Sequence, residues 1–486
     1  MGRKSYQVVD ANRNGSGRCC TFRGLIVFMG FLATFVMFTN RVNINLAIVC
    51  MTDGQYADNG TNMTTFSSIA SAKEPEFDWN SSTQGFILSS FFIGYLLTQV
   101  PTGWIIPKFK ASPKWLIFGG IAVTVTLSFL SPTAAYCGWG YLVAVQILKG
   151  MSCGTFYPSL QQIVIQWAPP NERSRMTSIV LSGDAIGSVA TFASSGYLCE
   201  YGFAGGWPSV FYTYAIITLV WMVLWVVLVS DSPRNHRFIS EEEKNYIEKA
   251  SSESGVQNNE KTSVPWGSIL TSPAVWAIVV ADFAFHWMWY TALILMPTYF
   301  NDVLNFDITT NGLLSSLPYI VNYILTVTGG IVADFLIKCN VRVGIVRRIL
   351  DTFGLMIPTC FVIATGFLDE SQCGLAVASL AISVGHLGLL RSGHIPNEID
   401  IAPKFGAVLM AFVNSISTFP GIIAPIVAGV MTPNKSQEEW RNVFFLAAGF
   451  TCLGEIVFLI FARGEVQPWA KIEEEKEIDL NDDEDC

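Results

Sequence analysis

Residues 24–50 have the sequence GLIVFMGFLATFVMFTNRVNINLAIVC, an apolar segment in which Arg41 is the single charged residue. A helix of about 20 apolar residues crosses the hydrocarbon core of a bilayer, so this segment predicts a membrane-spanning helix. No small-x-small cleavage pattern follows it, and we therefore expect it to be retained rather than removed as a signal peptide. Eleven more segments of this kind lie between polar or Pro/Gly breaks. The twelve predicted helices are 24–50, 83–107, 115–133, 141–166, 176–198, 208–230, 273–300, 311–337, 345–368, 372–396, 404–430 and 440–462.

The composition agrees with a chain that lies in lipid. Of the 486 residues, 51% are hydrophobic and only 14% are charged, which is more apolar surface than a soluble domain can bury. The formal net charge of -9 comes largely from residues 473–485, an acidic segment typical of a solvated tail. The eleven cysteines are scattered, so we expect neither a zinc site nor a disulfide framework.

The longest interruption, 231–272, divides the predicted helices six and six. The chain is thus divided into an N-terminal tail (1–23), a first six-helix half (24–230), a linker (231–272), a second six-helix half (273–462) and an acidic tail (463–486). Weak similarity between 103–108 and 330–334 indicates a parallel repeat of the halves. These features predict an all-α membrane protein with the major facilitator fold, whose substrate sites lie between the halves near the bilayer midplane.

Two independent features predict the orientation of the chain. Lys and Arg cluster in the N-terminal tail, the linker and alternate loops, and such loops usually face the cytosol. The loop between the first two helices carries glycosylation sequons at Asn59, Asn62 and Asn80, which requires the opposite side. Both termini are therefore predicted to be cytosolic, and the membrane to be the plasma membrane or that of a lysosome or secretory vesicle.

Short motifs along most of the chain resemble the anion transporter family that includes sialin, the vesicular glutamate transporters and the sodium-phosphate cotransporters. The motifs are NRVN at 40–43, GY at 94–95, TQVP at 98–101, WAPPNERS at 167–174, SDSP at 230–233, PTY at 297–299, DIAP at 400–403 and PGIIAP at 420–425. The resemblance implies a twelve-helix secondary transporter of a small organic or inorganic anion.

One motif departs from the family pattern. Proton-coupled members typically carry Arg-x-x-Glu-Gly-x-x-Glu-Gly in helix 4, whereas residues 146–154 are QILKGMSCG. The arginine and both glutamates are absent. Proton coupling through these carboxylates is therefore not expected, and the departure weakens any close assignment to sialic acid or glutamate.

Ionisable residues inside membrane helices are costly and therefore mark candidate functional sites. Arg41 and Asn45 lie one turn apart in helix 1 and share a face. The guanidinium of Arg41 suits a carboxylate or phosphate, which it can hold through two parallel hydrogen bonds. The alternative is a side chain that extends to the interface without binding substrate.

Four helices contribute further candidates. Lys149 in helix 4 and Asp184 in helix 5 suggest a charge pair, either structural or involved in coupling. Asp282, His286 and Tyr290 in helix 7 share one face, as a proton relay or as a packing triad. The remaining candidates are Arg391 in helix 10, as a second cation of the cavity, and Pro420 and Gly421, as a flexible point of helix 11.

Arg41, Lys149 and Arg391 outnumber Asp184 and Asp282, and this surplus favours an anionic substrate. No sequence motif supports an ATP-driven pump or a hydrolase, so we expect no enzyme activity, metal or cofactor. Proton symport, sodium symport and voltage-driven uniport are the candidate modes of transport. The alternative function is a transport-inactive anion sensor on the same fold. Expected partners are the small anion and lipid, with no nucleic acid, and the protein is expected to be a monomer.

Overall fold

The computed structural model describes residues 22–52, 76–109, 111–169, 172–253, 264–403 and 405–470. The sequons at Asn59 and Asn62 and the acidic segment 473–485 lie outside the described residues. All twelve predicted membrane segments are helical. Ten of the helical spans in the described part of the chain are long and apolar enough to cross a membrane, and the other two predicted segments form the helix Ser81–Phe109 and a helix pair between Trp139 and Trp167.

The first half contains eight helices, because two of its six membrane segments are broken. They are α1 Phe22–Thr52, α2 Ser81–Phe109, α3 Pro113–Cys137, α4 Trp139–Cys153, α5 Phe156–Trp167, α6 Arg173–Leu181, α7 Gly183–Tyr201 and α8 Pro208–Leu228. The fourth segment breaks at Gly154 and Thr155, and the fifth breaks at Ser182. Breaks at membrane depth are typical of helices that line a cavity.

In its described part the linker forms two short α-helices, and the second half, like the first, contains broken membrane segments. The linker forms α9 Glu241–Glu253 and α10 Trp266–Thr271, and the membrane helices are α11 Pro273–Asp302, α12 Ile308–Lys338, α13 Val343–Thr365, α14 Cys373–His386, α15 His394–Ile401, α16 Gly406–Ser417, α17 Phe419–Met431 and α18 Gln437–Phe461. A 3-10 helix, Leu387–Ser392, separates α14 from α15. The eleventh segment breaks at Thr418, directly before the Pro420–Gly421 pair named above, where proline supplies no backbone N–H.

The linker helix α9 is attached to the start of the first half. The Glu243 carboxylate accepts hydrogen bonds from the backbone N–H groups of Phe22 (3.1 Å) and Arg23 (3.0 Å) at the beginning of α1. The Arg23 side chain also binds Glu243 (3.2 Å) and, between the fourth and fifth segments, Glu172 (2.8 Å). A carboxylate at a helix N-terminus stabilises the unpaired N–H groups there. We call this end of the bundle the linker end.

At the opposite end, which carries Asn80 and which we call the sequon end, the two halves approach each other closely. Gly312 of α12 faces Phe192 and Gly196 of α7, and Gly85 of α2 faces Pro425 of α17. The Ser82 hydroxyl donates to the carbonyl of Gly429 (3.2 Å). Glycine permits this backbone-to-backbone contact, so the halves are closed against each other at the sequon end.

One disulfide, Cys50–Cys199, joins the ends of α1 and α7 at the sequon end. The sequence did not predict this bond, although one disulfide among the described residues is not the disulfide framework that the sequence argued against. Cys50 and Cys199 are 149 residues apart in sequence, and only the packing of α1 against α7 brings them together. Spacing rules for cysteines therefore gave no signal.

Candidate functional site

Arg41 lies at the contact between the halves, surrounded by aromatic rings. Its guanidinium carbon is 4.8 Å from the ring centre of Phe92, 5.4 Å from Phe91 and 5.6 Å from Tyr95, all on α2, and 5.7 Å from Tyr290 on α11. Rings at these distances stabilise a cation through their negative faces. The side chain is only 9% exposed, so the hypothesis of an arginine that extends to the membrane interface does not describe its position.

The hydrogen bonds of this guanidinium are incomplete. One terminal nitrogen donates to the Tyr290 hydroxyl at 3.3 Å, whereas the Nε–H has no hydrogen-bond partner among the residues that the structure describes. Among the described residues, no carboxylate forms an ion pair with Arg41. A buried cation without a counter-charge is costly, and an incoming anion can supply that charge.

Asn45 lies one turn beyond Arg41, as predicted, but it joins the two halves. Its amide donates to the backbone carbonyl of Leu293 on α11 at 2.9 Å. Asn45 thus holds α1 against α11 beside the Arg41 site. The geometry supports a role for Asn45 in positioning α1, and with it Arg41, against α11.

The predicted row on α11 has the expected geometry and points toward Arg41. The imidazole Nδ1 of His286 is 3.3 Å from an Asp282 carboxylate oxygen, and its ring centre is 5.5 Å from that of Tyr290. Tyr290 in turn contacts Arg41. A continuous set of polar side chains therefore leads from the core of the second half to the guanidinium.

This set continues into residues whose connection the sequence did not reveal. The second oxygen of Asp282 is 3.1 Å from His394 Nε2 on α15, and His394 Nδ1 is 2.6 Å from Asp351 on α13. His394 and Asp351 lie in separate helices, and no sequence spacing relates them. Asp400, near the end of α15, pairs instead with Arg347 at 2.8 Å.

The predicted pair between Lys149 and Asp184 is not formed. Lys149 is fully buried and points at the ring of Phe211 (5.8 Å), and its amine has no hydrogen-bond partner in the described part of the chain. Asp184 instead accepts a hydrogen bond from Tyr157 at 3.0 Å. The two residues face different neighbours because α4 turns Lys149 toward α8, which a one-dimensional pattern does not show.

Arg391 and, more weakly, Arg41 interact electrostatically with Asp184. Arg391 lies in the 3-10 helix of the second half, with an exposed side chain, while Asp184 lies in the first half. Opposite charges of the two halves thus interact electrostatically. The role of Arg391 as a second cation of the cavity stays a prediction.

The break in the eleventh segment reaches the Arg41 site directly. Gly421 lies against the ring of Phe92, one of the aromatic residues around Arg41, so closely that a side chain at position 421 would overlap it. A movement at Pro420 and Gly421 would thus displace the Phe92 ring, which contacts the Arg41 guanidinium. Whether the break acts as a gate stays a prediction.

The chain is similar in sequence to proteins that are already known. Residues 30–397 match the family model described as Major Facilitator Superfamily. The chain is 38% identical to sialin of Homo sapiens over 461 residues, covering 93% of this chain and 91% of sialin. It is 37% identical to vesicular glutamate transporter 1 of Bos taurus over 474 residues, covering 97% and 81% of the two chains.

Two solved structures share the fold at low sequence identity. A bacterial homologue of the human lysosomal transporter Spinster, in an inward-facing and occupied conformation, matches with a TM-score of 0.69 at 12% identity, over 92% of this chain and 99% of that chain. A D-xylose-proton symporter matches with a TM-score of 0.67 at 13% identity, over 91% and 99%. These likenesses confirm the predicted fold.

Proposed function

Because this chain belongs to the major facilitator superfamily and, within it, to the anion transporter family of sialin and the vesicular glutamate transporters, we propose that it carries a small organic anion whose carboxylate binds Arg41. The protein is a multi-pass membrane transporter, not an enzyme, and works by alternating access between its two halves. The observation that supports the substrate assignment is the buried guanidinium, which has no carboxylate partner among the described residues and lies where the halves meet.

The surroundings of Arg41 favour an organic carboxylate over inorganic phosphate. Phosphate has several strongly solvated oxygens, each of which needs a donor when it leaves water. Around Arg41 the structure has mainly aromatic rings, from Phe38, Phe91 and Phe92, together with the hydroxyl of Tyr290. One carboxylate satisfies the guanidinium, and the carbon skeleton of the substrate then contacts the rings.

The coupling ion and the membrane are also part of this proposal. We expect proton symport, because His286 and Asp282 adjoin Tyr290 in the site. Among the predicted locations, the name of the similar vesicular glutamate transporter favours the membrane of a vesicle.

For the orientation, we expect the sequon end to face the lumen. The disulfide Cys50–Cys199 supports this side, since disulfides persist in oxidising compartments. Asn80 is a poor acceptor for a glycan, because it caps α2 by binding the N–H of Thr83 (2.8 Å) and the Ser82 hydroxyl of its sequon is bonded to Gly429. We therefore expect Asn59 and Asn62 to carry the glycans, and the Asn59→Gln/Asn62→Gln variant to lose the mobility shift that glycosidase treatment causes in the wild type.

The function is tested by uptake into proteoliposomes under imposed proton, sodium or voltage gradients. The panel of labelled anions comprises sialic acid, glutamate, urate, phosphate and a nucleotide. We expect saturable uptake of a carboxylate, its loss in Arg41→Ala, and an increased KM in Arg41→Lys, which keeps the charge but lacks the two-pronged geometry.

Two results would contradict the proposal. Uptake of a carboxylate that is unchanged in Arg41→Ala would show that another group holds the anion. Binding of ligand without accumulation under any gradient would favour the transport-inactive sensor, which the altered helix 4 motif, with Gln146 and Cys153, makes a definite alternative.

A further inference from the structure

The core of the second half contains a group of acidic and histidine side chains that the membrane helices enclose almost completely. It consists of Asp282 on α11, Asp351 on α13, His394 and Glu398 on α15 and Glu455 on α18, and we call it the acid cluster. Their exposed fractions are 5%, 0%, 0%, 4% and 1% respectively. Burying four carboxyl groups among membrane helices costs far more free energy than burying apolar side chains in the same place. Their presence therefore indicates a function.

His394 connects the members of the acid cluster. Its two ring nitrogens lie 2.6 Å from Asp351 Oδ1 and 3.1 Å from Asp282 Oδ1, and its backbone N–H donates to the same Asp351 oxygen at 3.1 Å. A protonated imidazole can donate to both carboxylates at once. His394 can therefore balance one of the negative charges that it touches.

Glu455 on α18 binds the hydroxyl of Thr352, the residue that follows Asp351 on α13, so the carboxyl groups of Asp351 and Glu455 are neighbours. Each has one buried oxygen, Asp351 Oδ2 and Glu455 Oε2, without a hydrogen-bond partner in the described part of the chain. The other Glu455 oxygen accepts from Thr352 at 2.5 Å. An ionised carboxylate has only acceptors and repels a second one, so a proton held by one of the two groups removes the repulsion and supplies a donor.

The arginines packed around the acid cluster form no ion pair with its members in the described part of the chain. Arg347 binds Asp400 and the carbonyl of Ser392, and Arg348 donates to the carbonyl of Ala462 at 2.6 Å. On α11, His286 adjoins Asp282. The two histidines can supply at most two positive charges against four carboxyl groups, and Glu398 also has a buried oxygen without a partner. Bound protons would lower the free-energy cost of burying these carboxyl groups together.

We propose that the acid cluster is a proton-binding site of the transport cycle, in which Asp351 and Glu455 share the proton and His394, Asp282 and His286 connect it to the anion site. Protonation adds an O–H between the two carboxyl groups and removes one negative charge, and release of the proton restores that charge. The path ends at Tyr290, which touches Arg41. Binding of the anion at Arg41 is thus coupled to binding of the proton at the acid cluster through neighbouring side chains.

This proposal rests on the proposed function and gives the second half the coupling role that the missing helix 4 carboxylates cannot fulfil. In the first half, helix 4 has Gln146, Lys149 and Cys153 on its inward side, and none of them is a carboxylic acid. The acid cluster supplies buried carboxyl groups on the other side of the anion site.

The test separates proton coupling from anion translocation in the full-length protein. Labelled sialic acid, glutamate or urate, whichever the wild type accumulates, is added outside proteoliposomes, which contain the unlabelled anion for exchange and none for accumulation, and the two rates are measured. Exchange of labelled for unlabelled anion needs no net proton movement, whereas accumulation under an inward acid gradient does. For Glu455→Gln and Asp351→Asn we expect exchange within about twofold of wild type and accumulation at least tenfold lower. Their exchange should also lose its dependence on pH.

Glu438→Gln is the matched control, because Glu438 lies on the same helix, α18, with a side chain that is 78% exposed. It should behave as the wild type in both assays. Proton-driven accumulation retained in Glu455→Gln and Asp351→Asn overturns the proposal, and so does a parallel loss of exchange and accumulation in both variants, which indicates a structural role. If the wild type accumulates the anion with sodium or voltage but never with a proton gradient, the acid cluster is not the coupling site, although anion transport stands. No accumulation of any anion refutes the proposed function itself.

Discussion

The substitution Gly312→Ala should open the sequon end of the protein. A Cβ at position 312 of α12 would lie 2.5 Å from the backbone carbonyl oxygen of Phe192 and 3.0 Å from the Cα of Gly196, both on α7. Backbone atoms cannot move aside as the end of a flexible side chain can. The added methyl group therefore forces α7 and α12, and with them the two halves, apart at this end.

The magnitude follows from the cost of overpacking. Extra carbon atoms in a packed interior cost about 1–3 kcal/mol, and here the cost applies to the arrangement in which the halves touch at the sequon end. A difference of this size changes the ratio of two conformations by about fivefold to about 150-fold. The alternate conformation, with the sequon end open, has no such contact and gains in population.

Pulsed EPR distances between labels on the two halves would measure this shift. Phe203 and Phe367 are exposed in loops at the sequon end of the first and second half, which makes them suitable label positions. Genetically encoded labels are preferable, because Cys137, Cys339 and Cys360 are exposed and would react with thiol reagents. We expect a longer distance to become more populated in Gly312→Ala.

Gly449→Ala is the matched control, because a Cβ at position 449 of α18 meets no atom within 4 Å. Both substitutions raise helix propensity by about 1 kcal/mol, so the control removes that effect. An unchanged distance distribution in Gly312→Ala, or an equal change in Gly449→Ala, would refute the view that the α7–α12 glycine contact holds this end closed.

Three further substitutions test single contacts. Lys149→Met should raise the free energy of unfolding by about 1–3 kcal/mol, because it removes a buried amine that has no hydrogen-bond partner in the described part of the chain and keeps the contact with Phe211. A lower melting temperature in a denaturation assay would show that the amine has a structural role. Tyr290→Phe should raise the KM for the anion about fivefold to tenfold, since it removes the hydroxyl bonded to Arg41 but leaves the ring; a loss of uptake as large as that of Arg41→Ala would disagree. Cys199→Ser should lower stability by about 2–4 kcal/mol, and reduction of the wild type should reproduce the effect; identical melting with and without reductant would argue against the disulfide.

The sequence by itself determined the membrane fold and its helical segments. A run of about 20 apolar residues forms an α-helix in lipid, because its backbone N–H and C=O groups find no water there and must bond to each other. For the same reason each rare charge in those runs, such as Arg41 or Asp282, could be identified as a candidate site before any contact was known. The spacing of Asp282, His286 and Tyr290 within one helix also sufficed to predict their shared face.

Only the tertiary structure decided which of these charges meet. Lys149 and Asp184 were expected to pair, but the orientations of α4 and α7 turn them toward Phe211 and Tyr157. The bond between Cys50 and Cys199 and the contact between His394 and Asp351 likewise join separate helices. Helical periodicity fixes the direction of a side chain relative to its own axis, whereas the neighbour that it meets depends on how that axis is placed and rotated against the others by packing.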